Sequence, residues 1–423
     1  MTAGYREVRA CRICGSTRLE PVFDLGTLAL TGVFPKSADA DRSLTRGPLE
    51  LVKCDAGGPT PGCGLLQLRH SFSPPEMYGA NYGYRSGLNR SMVEHLHAKV
   101  RRILARVPLA AGDLVLDIGS NDGTLLGAYP HPGAKLIGMD PTGAKFRRFY
   151  PAHVELVADF FSAARFRAAA GDRLAKVVTS IAMFYDLDSP IDFARQVAEA
   201  LAPQGLWVFE QSYMPTMLET GSYDTICHEH LEYYALAQIQ WILERAGLKL
   251  IDVELNDVNG GSFSVTAARA SSAHVPDRAA IEAVATREKA LGLDGSRPYE
   301  VFRDRALRHK RELTEFIRGV HAQGKTIFGY GASTKGNVIL QYCGLTSEDL
   351  PCIAEVNEDK FGAFTPGTLI PIVSERDAKA KKPDYLLVLP WHFRRNIIER
   401  EQAYLRAGGK LVFPLPQIEV VGA

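Results

Sequence analysis

The chain has 423 residues, 46% hydrophobic and 23% charged, with 49 Lys and Arg against 48 Asp and Glu, for a formal net charge of +1. That length exceeds one core and predicts two or three domains, and the balanced charge argues against a nucleic-acid or membrane-surface partner. No apolar run reaches the roughly 18 residues of a membrane span, and the N-terminus has no signal-peptide core, so a cytoplasmic location is expected.

Four of the seven cysteines, Cys11, Cys14, Cys54 and Cys63, fall in the first 63 residues. In a cytoplasmic chain such a cluster reads as metal binding rather than as a disulfide framework. Cys11-Arg12-Ile13-Cys14-Gly15 has the form of a zinc knuckle. The second pair is separated by a Gly/Pro-rich spacer of eight residues, where a compact knuckle has two. Four thiolates make a closed, structural Zn site; the alternative is two reduced pairs without metal.

A tyrosine- and glycine-rich run follows, with Tyr78, Tyr82, Tyr84 and Arg85. It reads either as a face for a polyhydroxylated ligand or as an aromatic connection between domains. Met92, Leu96, Val100 and Leu104 then predict a helix over 88–106. Leu114-Val115-Leu116-Asp117-Ile118-Gly119-Ser120-Asn121-Asp122-Gly123 reads as a buried strand, a glycine turn and then a helix, the start of a doubly wound sheet. Its spacing, Gly119-x-Asn121-x-Gly123, is not the dinucleotide fingerprint. The next strand ends in Asp140, placed to grip ribose hydroxyls, and Asp159-Phe160 suits an adenine amine and face.

Strands are further expected over 177–184, 206–211, 248–255 and 262–268, with helices from Pro190 to Leu201 and from Ile239 to Ala246. Between them lies Ser222-Tyr223-Asp224-Thr225-Ile226-Cys227-His228-Glu229-His230-Leu231-Glu232-Tyr233-Tyr234. This stretch has neither strand alternation nor a helical stripe, and its titratable groups make it a candidate active site. The competing readings are a metal site and a polar surface loop. Residues 271–297 show little periodicity and read as a boundary, followed by a charged helix over 301–322. Phe328-Gly329-Tyr330-Gly331-Ala332-Ser333-Thr334-Lys335-Gly336-Asn337 opens a second Rossmann-like unit. It fails both the NAD and the P-loop patterns, yet amides before a helix with Lys335 nearby suit a phosphate. Glu355 ends the next strand, and the third strand runs into Pro390-Trp391-His392.

The acidic strand ends and short glycine turn resemble class I S-adenosylmethionine (AdoMet) methyltransferases. The whole order, together with Glu210-Gln211-Ser212-Tyr213, His228-Glu229-His230 and Val258-Asn259-Gly260-Gly261-Ser262-Phe263, resembles the bacterial nucleotide-sugar C-methyltransferases, such as the sugar 3-C-methyltransferase of D-tetronitrose biosynthesis. The resemblance spans nearly the whole chain. It implies an α/β protein with a zinc-binding domain (1–72), an AdoMet-dependent methyltransferase domain (73–270) and a C-terminal Rossmann-like nucleotide-binding domain (271–423).

By that resemblance, a nucleotide-diphosphate sugar, a 4-keto-deoxyhexose, is methylated at C3. His230 is the base and Glu229 orients its neighbours. AdoMet contacts fall on Asp117, Gly119, Ser120, Asn121, Gly123, Asp140, Pro141, Asp159, Phe160 and Ile181. Substrate contacts fall on Tyr78, Tyr84, Arg85, His228, Asn259, Tyr330, Ser333, Lys335, Asn337 and Glu355. Two positions depart from the family: Cys227 replaces a tyrosine, and Asp186 stands where relatives carry a histidine. A thiol is a poor enolate stabiliser, so Tyr185, Tyr223 or one of Tyr78, Tyr82 and Tyr84 is expected to take that part. An O-methyltransferase on the same kind of sugar and a non-catalytic nucleotide-sugar binder are the alternatives. A monomer or weak oligomer is expected.

Overall fold

The structure, a computed structural model, describes residues 4–57, 62–78, 82–130 and 133–422. Part of the Gly/Pro spacer between Cys54 and Cys63, and Gly79, Ala80 and Asn81 of the tyrosine-rich run, lie outside the described residues.

Leu114–Ile118 is buried at all five positions, as a parallel strand covered on both faces must be. It lies inside a seven-stranded sheet of spatial order Leu248–Asn256, Ser262–Arg269, Leu201–Ser212, Ala175–Ile181, Leu114–Ile118, Lys135–Met139, Val154–Val157. Ser262–Arg269 runs antiparallel to both neighbours, and the run from Leu201–Ser212 to Val154–Val157 is parallel. Strand order reverses between Leu114–Ile118 and Ala175–Ile181, which opens a crevice at their carboxyl ends.

A second switch point lies in the six-stranded C-terminal sheet, ordered Ile372–Ser374, Ile353–Glu355, Ile327–Tyr330, Tyr385–Val388, Lys410–Phe413, Glu419–Val421, with only the last strand antiparallel. Its crevice lies between Ile327–Tyr330 and Tyr385–Val388. The N-terminal sheet is antiparallel: Glu232–Tyr233, Leu66–Leu68, Arg46–Cys54, Leu19–Ala29. Its edge strand is thus drawn from the middle of the chain.

The charged helix Arg297–Ala322 buries Tyr299, Phe302, Ala306, His309, Leu313, Ile317 and Val320, a stripe at helical spacing. It packs on the C-terminal core and on the N-terminal sheet, where Phe302 meets Phe23 edge-on at 5.9 Å.

Three elements differ from expectation. No helix follows the first glycine turn. Gly119, Asn121 and Gly123 all take left-handed φ (74°, 50° and 76°), and the chain settles only into a short 3-10 turn, Leu126–Ala128. The expected strand over 177–184 stops at Ile181, because Ala182 also turns left-handed (φ 55°). The supposed boundary at 271–297 carries the helix Arg278–Leu291, capped by Asp277 and stopped by left-handed Gly292. Only Val284 and Glu288 of that helix are buried, too few to print a periodic signal.

Phe302→Ala removes a fully buried ring shared by two of these layers. It should cost about 3–5 kcal/mol of stability, read by urea unfolding as a lower midpoint.

Candidate active site and metal centre

The stretch 222–234 spans both crevices. At its start Asp224 enters the C-terminal one, where its Oδ2 accepts from Trp391 Nε1 at 2.7 Å. Lys335, near the start of the helix Thr334–Cys343, donates from Nζ to the carbonyl of Asn259 at 2.8 Å. Burial raises the Asp224 carboxyl, and the Lys335 charge opposes the rise. Burial lowers the Lys335 ammonium, against the pull of Asp224. Further on, the Leu231 amide donates to the carbonyl of Tyr185 at 2.8 Å, beside the central crevice, while the Leu231 carbonyl accepts from Leu68 of the N-terminal sheet at 2.9 Å.

His230 sits between these anchors. Its Nδ1 lies 2.8 Å from the carbonyl oxygen of Thr225. A carbonyl only accepts, so in the neutral ring Nδ1 carries the hydrogen and Nε2 keeps its lone pair. The Tyr185 ring packs edge-on at 4.3 Å. Burial pushes the imidazole down to about 4, helped by the Lys335 charge, so it is neutral at physiological pH. It lines a small cavity with Tyr185, Ser212, Thr225 and Glu232.

Around this imidazole lie three groups that burial pushes towards their neutral forms. Burial raises the Glu229 carboxyl, against the smaller pull of Cys227 and Thr31 beside it. A side chain at Gly32 would collide with its carboxylate, so that glycine gives Glu229 its room. Burial raises Cys227 well above the ordinary thiol range, with the Glu229 and Asp186 charges adding to it. Asp186 is raised well above the usual carboxylate range by burial, although Tyr78 donates to its Oδ2 at 2.8 Å. Tyr82, 5.7 Å from the Tyr78 ring, has its phenol raised by burial and then by Asp140 and Asp186.

At the central crevice, Asp117 is buried with Thr179 Oγ1 donating to it at 2.6 Å. Burial raises it to about 7, against that bond. Asp140 does more than the expected ribose grip. Its Oδ2 accepts from the Asn121 amide at 2.8 Å and its Oδ1 accepts from Thr142 N and Oγ1 at 2.6 and 2.5 Å. Three of about four carboxylate acceptor positions are used, and one on Oδ2 remains. Ser120 Oγ meets Tyr150 OH at 2.8 Å. A Cβ at Gly119 would reach within 3.0 Å of Met183, so the cradle needs glycine. Pro141 and Ile181 flank it, half-buried. Phe160 is exposed and lies 6.4 Å from Tyr78, while Asp159 is held by Arg165 at 2.7 Å. The cradle fits AdoMet by its glycine turn and carboxylates.

Several expected contacts are engaged elsewhere. Tyr223 is fully buried, its hydroxyl 2.9 Å from His309 Nδ1, and does not reach the base. His228 is fully buried against the Phe72 ring at 4.6 Å, so it packs against the N-terminal domain rather than meeting a ligand. Tyr330 donates to Glu401 and also meets Arg400, inside the C-terminal core. Asn337 donates to the Thr31 carbonyl at 2.7 Å and ties two domains together. Glu355 accepts from the amides of Ala332, Val356 and Asn357, and so shapes the turn rather than a ligand. Ser333 caps its helix by accepting from Gly336 at 3.0 Å. Asn259, left-handed at φ 55°, meets Lys335 only through its carbonyl. Tyr84 is exposed, and Arg85 packs over Phe149 and lies 3.8 Å from Asp122.

The sulfurs of Cys11, Cys14, Cys54 and Cys63 all lie within 4.8 Å of one another, with 3.4 Å between Cys11 and Cys63 and 3.5 Å between Cys14 and Cys54. Tetrahedral Zn–S bonds of about 2.3 Å put sulfurs about 3.8 Å apart, so the four thiols fit zinc and fill its coordination. The eight-residue spacer is no obstacle.

Sequence reasoning missed one buried polar cluster. Glu210 accepts from Lys99 at 2.8 Å and Asn256 at 2.8 Å and lies 2.5 Å from His95. Burial acts to raise this carboxyl, but His95 and Lys99 outweigh it and hold it at about 2. The signals were Glu210 within the Glu210-Gln211-Ser212-Tyr213 motif and His95 and Lys99 one helical turn apart on the first long helix.

The sheet orders, the glycine cradle and the cysteine centre define an AdoMet-dependent methyltransferase with an added zinc-binding domain and a Rossmann-like C-terminal domain. Family models agree: a C-methyltransferase C-terminal domain matches residues 257–416, a methyltransferase domain 92–253 and a zinc-binding domain 11–78. The C-methyltransferase NovU of Streptomyces niveus is 33% identical over 419 residues, 99% of this chain and 98% of that protein. The chain belongs to the bacterial C-methyltransferase family. Solved structures similar to it include the CcbJ methyltransferase from Streptomyces caelestis (17% identity, 42% of this chain, 89% of that one, TM-score 0.32). Another is an O-methyltransferase family protein from Burkholderia thailandensis (18%, 44%, 57%, TM-score 0.34). No helix among the described residues is long and apolar enough to cross a membrane.

Metal analysis should return one zinc per chain, and Cys14→Ser should lower that content; folded protein free of metal would refute the centre.

Proposed function

We propose that this C-methyltransferase acts at C3 of a nucleotide-linked 4-keto-deoxyhexose, with His230 as the base. The observation that carries the reading is that one stretch links the two crevices, with Asp224 in the C-terminal crevice and the His230–Leu231 segment in the central one. A substrate with a nucleotide held near Ser333 and Lys335 would put its sugar at His230, facing the cofactor cradle.

The chemistry follows from the residues. His230 Nε2 takes the proton alpha to the ketone, and the C–H electron pair moves into an enolate whose charge gathers on the carbonyl oxygen. Cys227 cannot serve that oxygen as a phenol would. The Tyr185 hydroxyl donates instead, with the Lys335 charge in support, because a fixed donor is worth most where charge develops. Burial pushes Glu229 and Asp186 towards their neutral forms, which limits their repulsion of the forming enolate. Asp117, Gly119, Ser120, Asn121 and Asp140 hold AdoMet, with Phe160 against its adenine. When bound, AdoMet supplies a methyl carbon made electrophilic by its sulfonium. The enolate carbon would take that methyl as its bond to sulfur breaks and the electron pair returns to sulfur, leaving the demethylated thioether, and the proton on Nε2 leaves to solvent after product release.

Incubation of candidate 4-keto sugar nucleotides in D2O without AdoMet should exchange the C3 hydrogen. An O-methyltransferase would methylate with no such exchange from any keto sugar. His230→Ala should lower turnover by about 10²–10⁴-fold with AdoMet affinity retained in calorimetry, and wild-type turnover would end the assignment.

The base works only when neutral, so kcat/KM should hold through neutral pH and fall on acidification. The inflection should lie well below the ordinary 6.5, towards about 4. A pH–rate profile with its acid limb at 6.5 or above would contradict burial as the tuning force.

A further inference from the structure

The first two metal ligands are separated by Arg12 and Ile13, and Arg12 is not a surface residue: its side chain is 2% exposed. It makes four hydrogen bonds into the strand region beside it. Its backbone amide donates to Gln67 Oε1 at 2.9 Å, Nη1 to the Leu68 carbonyl at 2.5 Å, and Nη2 to the His70 carbonyl at 3.2 Å and Ser71 Oγ at 3.0 Å. The remaining nitrogen, Nε, lies 3.5 Å from Oε1 of Glu232 and 4.0 Å from Asp188.

Glu232 is the other half of the observation. It follows His230 by two residues, its side chain is 0% exposed, and it lines the cavity that His230 lines. Neither of its carboxylate oxygens has a hydrogen-bond partner. Among the described residues, Arg12 is the cation within 4.0 Å of it. Burial raises the Glu232 carboxyl well above the usual carboxylate range and the Arg12 guanidinium opposes that rise, so Arg12 is the neighbour that orients and polarises this side chain.

A second path runs through the backbone. Leu68, whose carbonyl Arg12 holds, donates its own amide to the carbonyl of Leu231, the residue after His230. Glu232 and Tyr233 then pair with Gln67 and Leu66. Side chain and backbone therefore lead from the metal knuckle to the segment that carries His230 by two routes, one through Glu232 and one through Leu68 to Leu231.

We propose that Arg12 is a positioning residue for the base: from within the metal knuckle it fixes Glu232 and Leu68, and through them the segment carrying His230, so that the zinc centre governs the placement of the base as well as the fold of its own domain. This rests on the reading of His230 as the base. A 1 Å misplacement of a catalytic group suffices for a loss of about 10²-fold, so loosening rather than unfolding is the expected defect.

The test compares Arg12→Met, Arg12→Lys, Glu232→Gln and the double variant Arg12→Met/Glu232→Gln in the full-length, zinc-loaded protein. Arg12→Met should lower kcat by about 10²-fold with AdoMet affinity within about twofold of wild type. Arg12→Lys keeps the charge but not the fork, and should fall between. The double variant should lose no more kcat than Arg12→Met alone, because the two side chains act through one contact. Hydrogen exchange should quicken over residues 228–234 in Arg12→Met while the central sheet stays protected, and slow chelation of zinc from wild type should quicken the same segment first.

Wild-type kcat in Arg12→Met, or faster exchange spread evenly over the chain with AdoMet affinity lost in parallel, would overturn the proposal. Exchange reads the linkage without turnover, so its failure is separable from failure of the base assignment, which His230→Ala decides.

Discussion

Two backbone hydrogen bonds on Leu231 govern the arrangement. Its amide is held by Tyr185 at the switch point of the central sheet, its carbonyl by Leu68 of the N-terminal sheet. Main-chain bonds between packed sheets place an atom more tightly than side-chain contacts on a loop do, because sheets move as units. His230 is the residue before this double hold, and the Thr225 carbonyl fixes its ring. His230, the cofactor cradle and the metal domain are thereby locked to one residue that carries no titratable group of its own.

The two Rossmann-like units share a device. In each, the acid at or just after the end of the second strand reaches back to an amide of the first glycine turn: Asp140 to Asn121, and Glu355 to Ala332. The carboxylate stabilises the turn that shapes the crevice. Electrostatics of the site follow from burial: Asp186, Glu229 and Cys227 are all pushed towards their neutral forms, and so is His230.

Much of this was legible in the residue order. The alternation of buried strands and helices, the four cysteines and the polar thirteen residues at 222–234 marked the fold, the metal centre and the site, because each depends on local composition. What was not legible depends on partners far away in sequence. Tyr223 and His228 have the side chains of active-site residues, yet one meets His309 and the other Phe72. The Thr225 contact is made by a carbonyl, which every residue has. Arg12 looked like filler between two ligands. The helix after the first glycine turn was expected by analogy with doubly wound folds, and three left-handed residues in that turn preclude it.

The borrowed edge strand has a consequence for biosynthesis. Leu66–Leu68 finds its outer partner, Glu232–Tyr233, only after the whole parallel part of the central sheet has been made. A ribosome adds about 5–20 residues per second, so for several seconds the N-terminal sheet exists with that edge unpaired. An open edge is a template for pairing with another chain. The cysteine cluster, complete once Cys63 has emerged, lies at the base of this sheet. Early metal capture would hold the N-terminal strands in register through that interval, so zinc supply during translation, and not only in the finished enzyme, bears on how much of the protein reaches its native state.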